Sequence, residues 1–104
     1  MPKHDFSQLD AHYPEIIAQM PAVFSSHQFI LKLAQEHQDL YVEALYAYRD
    51  SIHRGKPAPF RAVHQILSQR LNGYLDLVQR YGDERRSHDI FGQPNGCARW
   101  HKAR

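Results

Sequence analysis

Apolar residues along this chain recur three and four positions apart, and almost nowhere do they alternate. That period is helical, because 3.6 residues per turn return a side chain to the same face. The segment AHYPEIIAQMP offers Pro14 in a first turn, a face of Ile16, Ile17 and Met20, and Pro21 as a stop, so a short helix is predicted there. In FSSHQFILKLAQEH, Ser25 or Ser26 caps a helix whose apolar positions are Phe29, Ile30, Leu33 and Ala34, with Phe24 placed to pack back on its first turn. The same phase continues through His37 into Tyr41, Ala44, Leu45, Tyr48 and Ile52. Asp39 ahead of Leu40 is a fresh start signal, so the pattern favours a break at Gln38 over one unbroken helix from Ser26 to Ile52.

HRGKPAP, with Gly55, Pro57 and Pro59, interrupts the pattern and predicts a chain-reversing loop. Beyond it, Phe60, Val63, Leu67, Leu71, Tyr74, Val78 and Tyr81 follow at steps of 3, 4, 4, 3, 4 and 3. Asn72-Gly73 resembles a turn, yet the phase is kept across it and an interior glycine costs only about 1 kcal/mol. The spacing therefore predicts one helix through Gly73, ended near Gly82. In the tail, Gly92, Pro94, Asn95 and Gly96 separate Ile90-Phe91 from the stretch Cys97 to Trp100, which suits a small hairpin, an irregular cap or a single helical turn started by Ser87. Ile90, Phe91 and Trp100 are expected to dock on the helices, because leaving them in water forfeits about 1.5–3 kcal/mol for an aliphatic or Phe side chain.

Composition sharpens this picture. The 104 residues include no Thr and four Val, against ten Ala, nine Leu and nine Gln, so helix is favoured almost everywhere. The expected fold is all-α: a compact bundle of four to five helices with a short C-terminal irregular or hairpin cap, in one domain over residues 1–104 with residues 1–9 flexible. A winged-helix arrangement, with Gly92 to Trp100 as the wing, is the alternative. One cysteine excludes an intrachain disulfide and, without an apolar leader or an 18-residue apolar run, a cytoplasmic protein is expected.

Charge divides the chain. Residues 1–50 hold 3 Lys/Arg and 7 Asp/Glu, and residues 51–104 hold 10 and 4, giving −4 and +6. Either the basic half engages an acidic partner, or the two halves attract each other within the fold. From Ser51 to Leu75 there is no acidic residue. Arg54, Lys56, Arg61, Arg85 and Arg86 are the candidate charges there and beyond, with Gln65 and Gln69 as hydrogen-bonding groups. Arg61, Gln65, Gln69 and Asn72 share the polar side of the predicted helix, although a merely solvated face has the same appearance.

The expected function is a non-enzymatic binding or regulatory module whose basic C-terminal half meets an acidic partner. Tyr41, Tyr46, Tyr48, Tyr74 and Tyr81 lie in or near helical stripes; they are core and rim residues first, but a tyrosine-rich adaptor or homodimer surface is an alternative, as is DNA binding. Expected partners are accordingly a protein or a second copy of the chain, then nucleic acid, and no membrane.

Eight histidines are many for this length, and His88, Cys97 and His101 come closest to a ligand cluster, but neither C-x2-C nor H-E-x-x-H occurs. A small His/Cys metal-binding protein is therefore a lesser alternative, and no metal or cofactor is expected. His37 and His64, beside apolar stripes, are expected to be hydrogen-bonded at the core edge. Ser87, His88 and Asp89 are consecutive and point in different directions, so they cannot form a nucleophilic relay. No glycine-rich phosphate loop or strained nucleophile turn is present either, and no catalytic residue is assigned.

Overall fold

The computed structural model describes residues 4–80, 85–88 and 94–102, with strand placement but no side chains for 85–88 and 94–97. Five helices are described: α1 (Ser7–Asp10), α2 (Tyr13–Gln19), α3 (Ser26–Glu36), α4 (Gln38–Ala47) and α5 (Pro59–Arg70), the last continued by a 3₁₀ turn over Leu71–Tyr74. Seven short strands accompany them: β1 (Val23–Ser25), β2 (Ile52–His53), β3 (Lys56–Pro57), β4 (Val78–Arg80), β5 (Arg85–His88), β6 (Pro94–Cys97) and β7 (Arg99–Lys102).

The strands overturn the all-α expectation. An antiparallel sheet in the order β1-β7-β4 closes one side of the helices, while β2-β3 and β5-β6 are two-stranded hairpins. β7 lies in the centre: Trp100 stands opposite Phe24 on one side and Arg80 on the other. Pairing extends beyond the strands through Ser26 N–H to the Ala98 carbonyl and Lys102 N–H to the Ala22 carbonyl, both 2.9 Å. Strands of two to four residues hide from periodicity, because two or three side chains cannot establish an alternation. Tertiary burial of Phe24, Val78 and Trp100 overrides the helical composition at these positions.

In chain order the elements run two helices, a strand, two helices, a hairpin, a helix, a strand, a second hairpin and the returning central strand. The β5-β6 hairpin leaves the β4-β7 pair at its Arg80 and Arg99 end. It thus begins well before Gly92, which itself lies outside the described residues along with Tyr81, Ile90 and Phe91.

The predicted helix from Phe60 to Gly82 ends early. Regular α-helix stops at Arg70, a 3₁₀ turn follows, and β4 is already formed at Val78. Leu67, Leu71 and Val78 nevertheless all reach the core, from α5, the 3₁₀ turn and β4 respectively. Ser25 caps α3 through a reciprocal pair: its Oγ accepts from Gln28 N–H (3.1 Å) and Gln28 Oε1 accepts from Ser25 N–H (2.8 Å). The break after α3 falls at His37, whose φ of −134° and ψ of 59° leave the helical region.

Phe6 and Leu9 are buried, although residues 1–9 read as a loose lead in sequence. Phe6 packs beside Tyr48, and the Arg70 guanidinium lies 5.5 Å from its ring centroid, long-range contacts that a local scan cannot see. At the centre Tyr13 is fully buried; its hydroxyl donates to the Leu67 carbonyl at 2.6 Å and its ring meets Phe29 edge-on. Among the described residues no helix is long and apolar enough to cross a membrane.

Candidate nucleic-acid interface

The polar side of α5 is laid out by its own core side. Val63 and Leu67 are fully buried, which turns Arg61, Gln65 and Gln69 toward solvent. At 100° per residue these three lie within an arc of about 80°, and at 1.5 Å rise they span about 12 Å. Asn72, in the 3₁₀ turn, is also exposed and its Nδ2 donates to the Gln69 carbonyl at 3.1 Å. Pro59 in the first turn suits the helix start, where a missing N–H costs nothing.

Immediately before α5, β2 and β3 form a tight hairpin in which His53 pairs with Lys56. Its two central residues, Arg54 (φ 53°) and Gly55 (φ 78°), both have positive φ, as a type I′ turn requires. The hairpin is tied off where Ala58 N–H donates to the Ser51 carbonyl at 2.7 Å. Arg54 and Lys56 are therefore held, exposed, next to the start of α5. Their proximity has an electrostatic signature: the His53 imidazole is held below its ordinary pKa by loss of hydration, then by the charges of Arg61 and Arg54.

Five of the seven sequence-predicted residues, Arg54, Lys56, Arg61, Gln65 and Gln69, thus lie on α5 and the hairpin that leads into it. Arg85 and Arg86 are placed in β5, opposite Cys97 and Gly96, with side chains outside the described set. Arg70 of the basic half pairs with Asp10 of the acidic half through both Nε (2.6 Å) and Nη2. That contact raises the pKa of Arg70, while burial acts in the opposite direction. Lys102 instead donates to the carbonyls of Met20 (2.8 Å) and Ala18 (3.3 Å), satisfying groups at the C-terminal end of α2. Arg54, Lys56 and Arg61 form no ion pair among the described residues.

His37 and His64 are hydrogen-bonded as expected. His64 Nε2 meets the Tyr41 hydroxyl, joining α5 to α4. His37 Nε2 lies 2.7 Å from Glu15 Oε1, and His12 Nδ1 lies 2.6 Å from the same oxygen. The two rings hold the Glu15 carboxyl below its usual range, His37 more strongly than His12. This His-Glu-His cluster escaped sequence inspection: His12 and Glu15 are a local pair, but His37 arrives from another helix junction. Of the ligand group noted in sequence, His101 lies on β7, and the side chains of His88 and Cys97 are outside the described set.

No family model matches the chain, and no curated protein or solved structure matches it.

Proposed function

We propose that the chain is a non-enzymatic DNA-binding module, with the basic C-terminal half as the interface and the phosphodiester backbone as the acidic partner. The carrying observation is the exposed row of Arg61, Gln65 and Gln69 on α5, beside a hairpin presenting Arg54 and Lys56 with no ion pair among the described residues. An α-helix about 10–12 Å across fits a major groove about 12 Å wide, and the row runs about 12 Å along its axis. Arginine pairs two-fold with guanine O6 and N7, and glutamine with adenine N6 and N7, so the row holds groups that read base edges. Hairpin cations supply phosphate contacts that fix register. The fold supports the same reading, because the Arg61–Gln69 face of α5 is exposed and β5, with Arg85 and Arg86, belongs to a two-stranded hairpin separate from the three-stranded sheet.

Fluorescence anisotropy on a labelled duplex, measured from 50 to 200 mM salt, tests this. Log affinity is expected to fall linearly with log salt, and loss of a phosphate-contacting cation is expected to reduce the slope by about 0.9. Binding weaker than about 100 µM at the lowest salt, or a flat salt response, rejects the proposal.

A second reading is favoured by α4, where Val42 (59% exposed) and Tyr46 (66% exposed) stand one turn apart in solvent. The Arg49 guanidinium lies 4.2 Å from the Tyr46 ring centroid. An amphipathic stripe of this kind suits a protein partner or a second copy of the chain. Sedimentation over a hundredfold concentration range separates the two: a monomer throughout rejects the homodimer.

A further inference from the structure

We infer that His12, Glu15 and His37 form a binding site for one divalent transition-metal ion of the zinc class. Their donor atoms all lie within 4.8 Å of one another, and the Glu15 oxygen is within 2.7 Å of both ring nitrogens. The fold builds this convergence. His12 immediately precedes α2 and Glu15 lies in its first turn, so a three-residue step sets both on one face. His37 is the single residue between α3 and α4, and its ring stacks on that of His12 with 3.6 Å between centroids. Both rings place a nitrogen against one carboxylate oxygen, and because they are stacked at 21° they must turn for their in-plane lone pairs to converge on an ion.

Two nitrogens and one oxygen suit zinc, copper or nickel and fall short of the all-oxygen shells that calcium and magnesium prefer. In a tetrahedral site with bonds of about 2.0–2.1 Å, donors stand about 3.3 Å apart. Glu15 therefore has to withdraw by about 0.6 Å from the rings to admit an ion at that spacing. Its side chain is 51% exposed, which leaves room for the movement and for water at the fourth coordination position. The ring nitrogens that now donate to Glu15 must each give up that proton, by a shift of tautomer or by its release, before they present a lone pair to the ion. The ion then joins the start of α2 to the α3-α4 junction, where two hydrogen bonds to one carboxylate now stand.

The competing account is that these two hydrogen bonds are all the cluster provides. Calorimetric titration of the metal-stripped full chain with zinc chloride at pH 7.5, against parallel variants, decides between them. One ion per chain is expected. His12→Gln and His37→Gln should each weaken binding by at least the 10–100-fold that an outer-shell partner is worth, while His53→Gln should leave it unchanged. Glu15→Gln keeps the size and polarity of an exposed residue, so its weakened binding, with an unaltered circular dichroism spectrum, separates ligand loss from misfolding. Zinc should raise the melting temperature of the parent chain and of His53→Gln, and raise it less in the other three variants. Absence of a one-to-one complex overturns the site, as does parent-like affinity in both His12→Gln and His37→Gln.

Discussion

The Trp100 indole N–H donates to Ser26 Oγ at 2.9 Å, joining the central strand to the first residue of α3 across 74 positions of sequence. Ser68 on α5 donates to the same oxygen at 2.7 Å. One small hydroxyl thus serves sheet and two helices at once, and it is 2% exposed. Ser26→Ala leaves the buried indole donor without its partner and is expected to lower stability by about 1–3 kcal/mol. The readout is the urea midpoint. In a Trp100→Phe background the same substitution should cost less, because the indole donor is already gone, and equal costs in the two backgrounds would disprove the coupling.

The row on α5 predicts that its members differ in kind. If Arg61 and the two glutamines read bases, Gln65→Ala and Gln69→Ala should each reduce discrimination between a preferred and a mismatched duplex by about 1–3 kcal/mol. Lys56→Ala, on the hairpin, should weaken both duplexes alike and lower the salt slope. Competition anisotropy with a selected duplex and its single-base variants checks this. Glutamine variants that weaken all sequences equally would reduce the row to a non-specific surface.

The β2-β3 turn supplies a stability test separable from binding. Gly55 has φ of +78° with nothing within 4 Å of an added Cβ, so Gly55→Ala meets backbone strain and not crowding. It should cost about 1–2 kcal/mol. Arg54, at φ 53°, already carries such strain. Arg54→Asn is expected to gain about 0.5 kcal/mol, since asparagine tolerates this conformation, while removing a cation and weakening DNA binding. Thermal melts and anisotropy on the same samples should therefore move in opposite directions.

Burial pushes the Tyr41 hydroxyl up to about 12. Its folded pKa exceeds the unfolded value near 10, so the neutral phenol favours the fold. That contribution is complete below about pH 10 and disappears as pH rises through about 12. Urea stability of the parent chain should accordingly fall more steeply between pH 10 and 12 than that of Tyr41→Phe. Parallel curves would show that Tyr41 ionises freely in the folded chain. Tyr13 shifts in the same direction, also through burial, and remains in both proteins as a common background.

Local chemistry was legible in the sequence wherever it acts over a few residues. The Ser25 cap and the polar row of α5 are written in steps of three and four, and Asp39 signalled the break beside Gln38 although it lies in the first turn of α4 and does not cap it. The sheet is not, because β1, β4 and β7 owe their pairing to partners some 20 to 80 residues away and show too few side chains to reveal a period. Leu71 and Val78 kept helical spacing while the backbone left the helix, so the same apolar phase misplaced the end of α5. For the same reason His37 gave no sign that it meets His12 and Glu15. Only the turn of chain between α3 and α4 brings it there.

β7 is the last of the three sheet strands in chain order, yet it fills the middle position. During synthesis β1 and β4 therefore emerge with no neighbour to hydrogen-bond, and Trp100 arrives only after every helix described here has already left the ribosome. Until then the nascent polypeptide exposes two bare strand edges and an uncovered Phe24, the kind of surface that invites association with other chains.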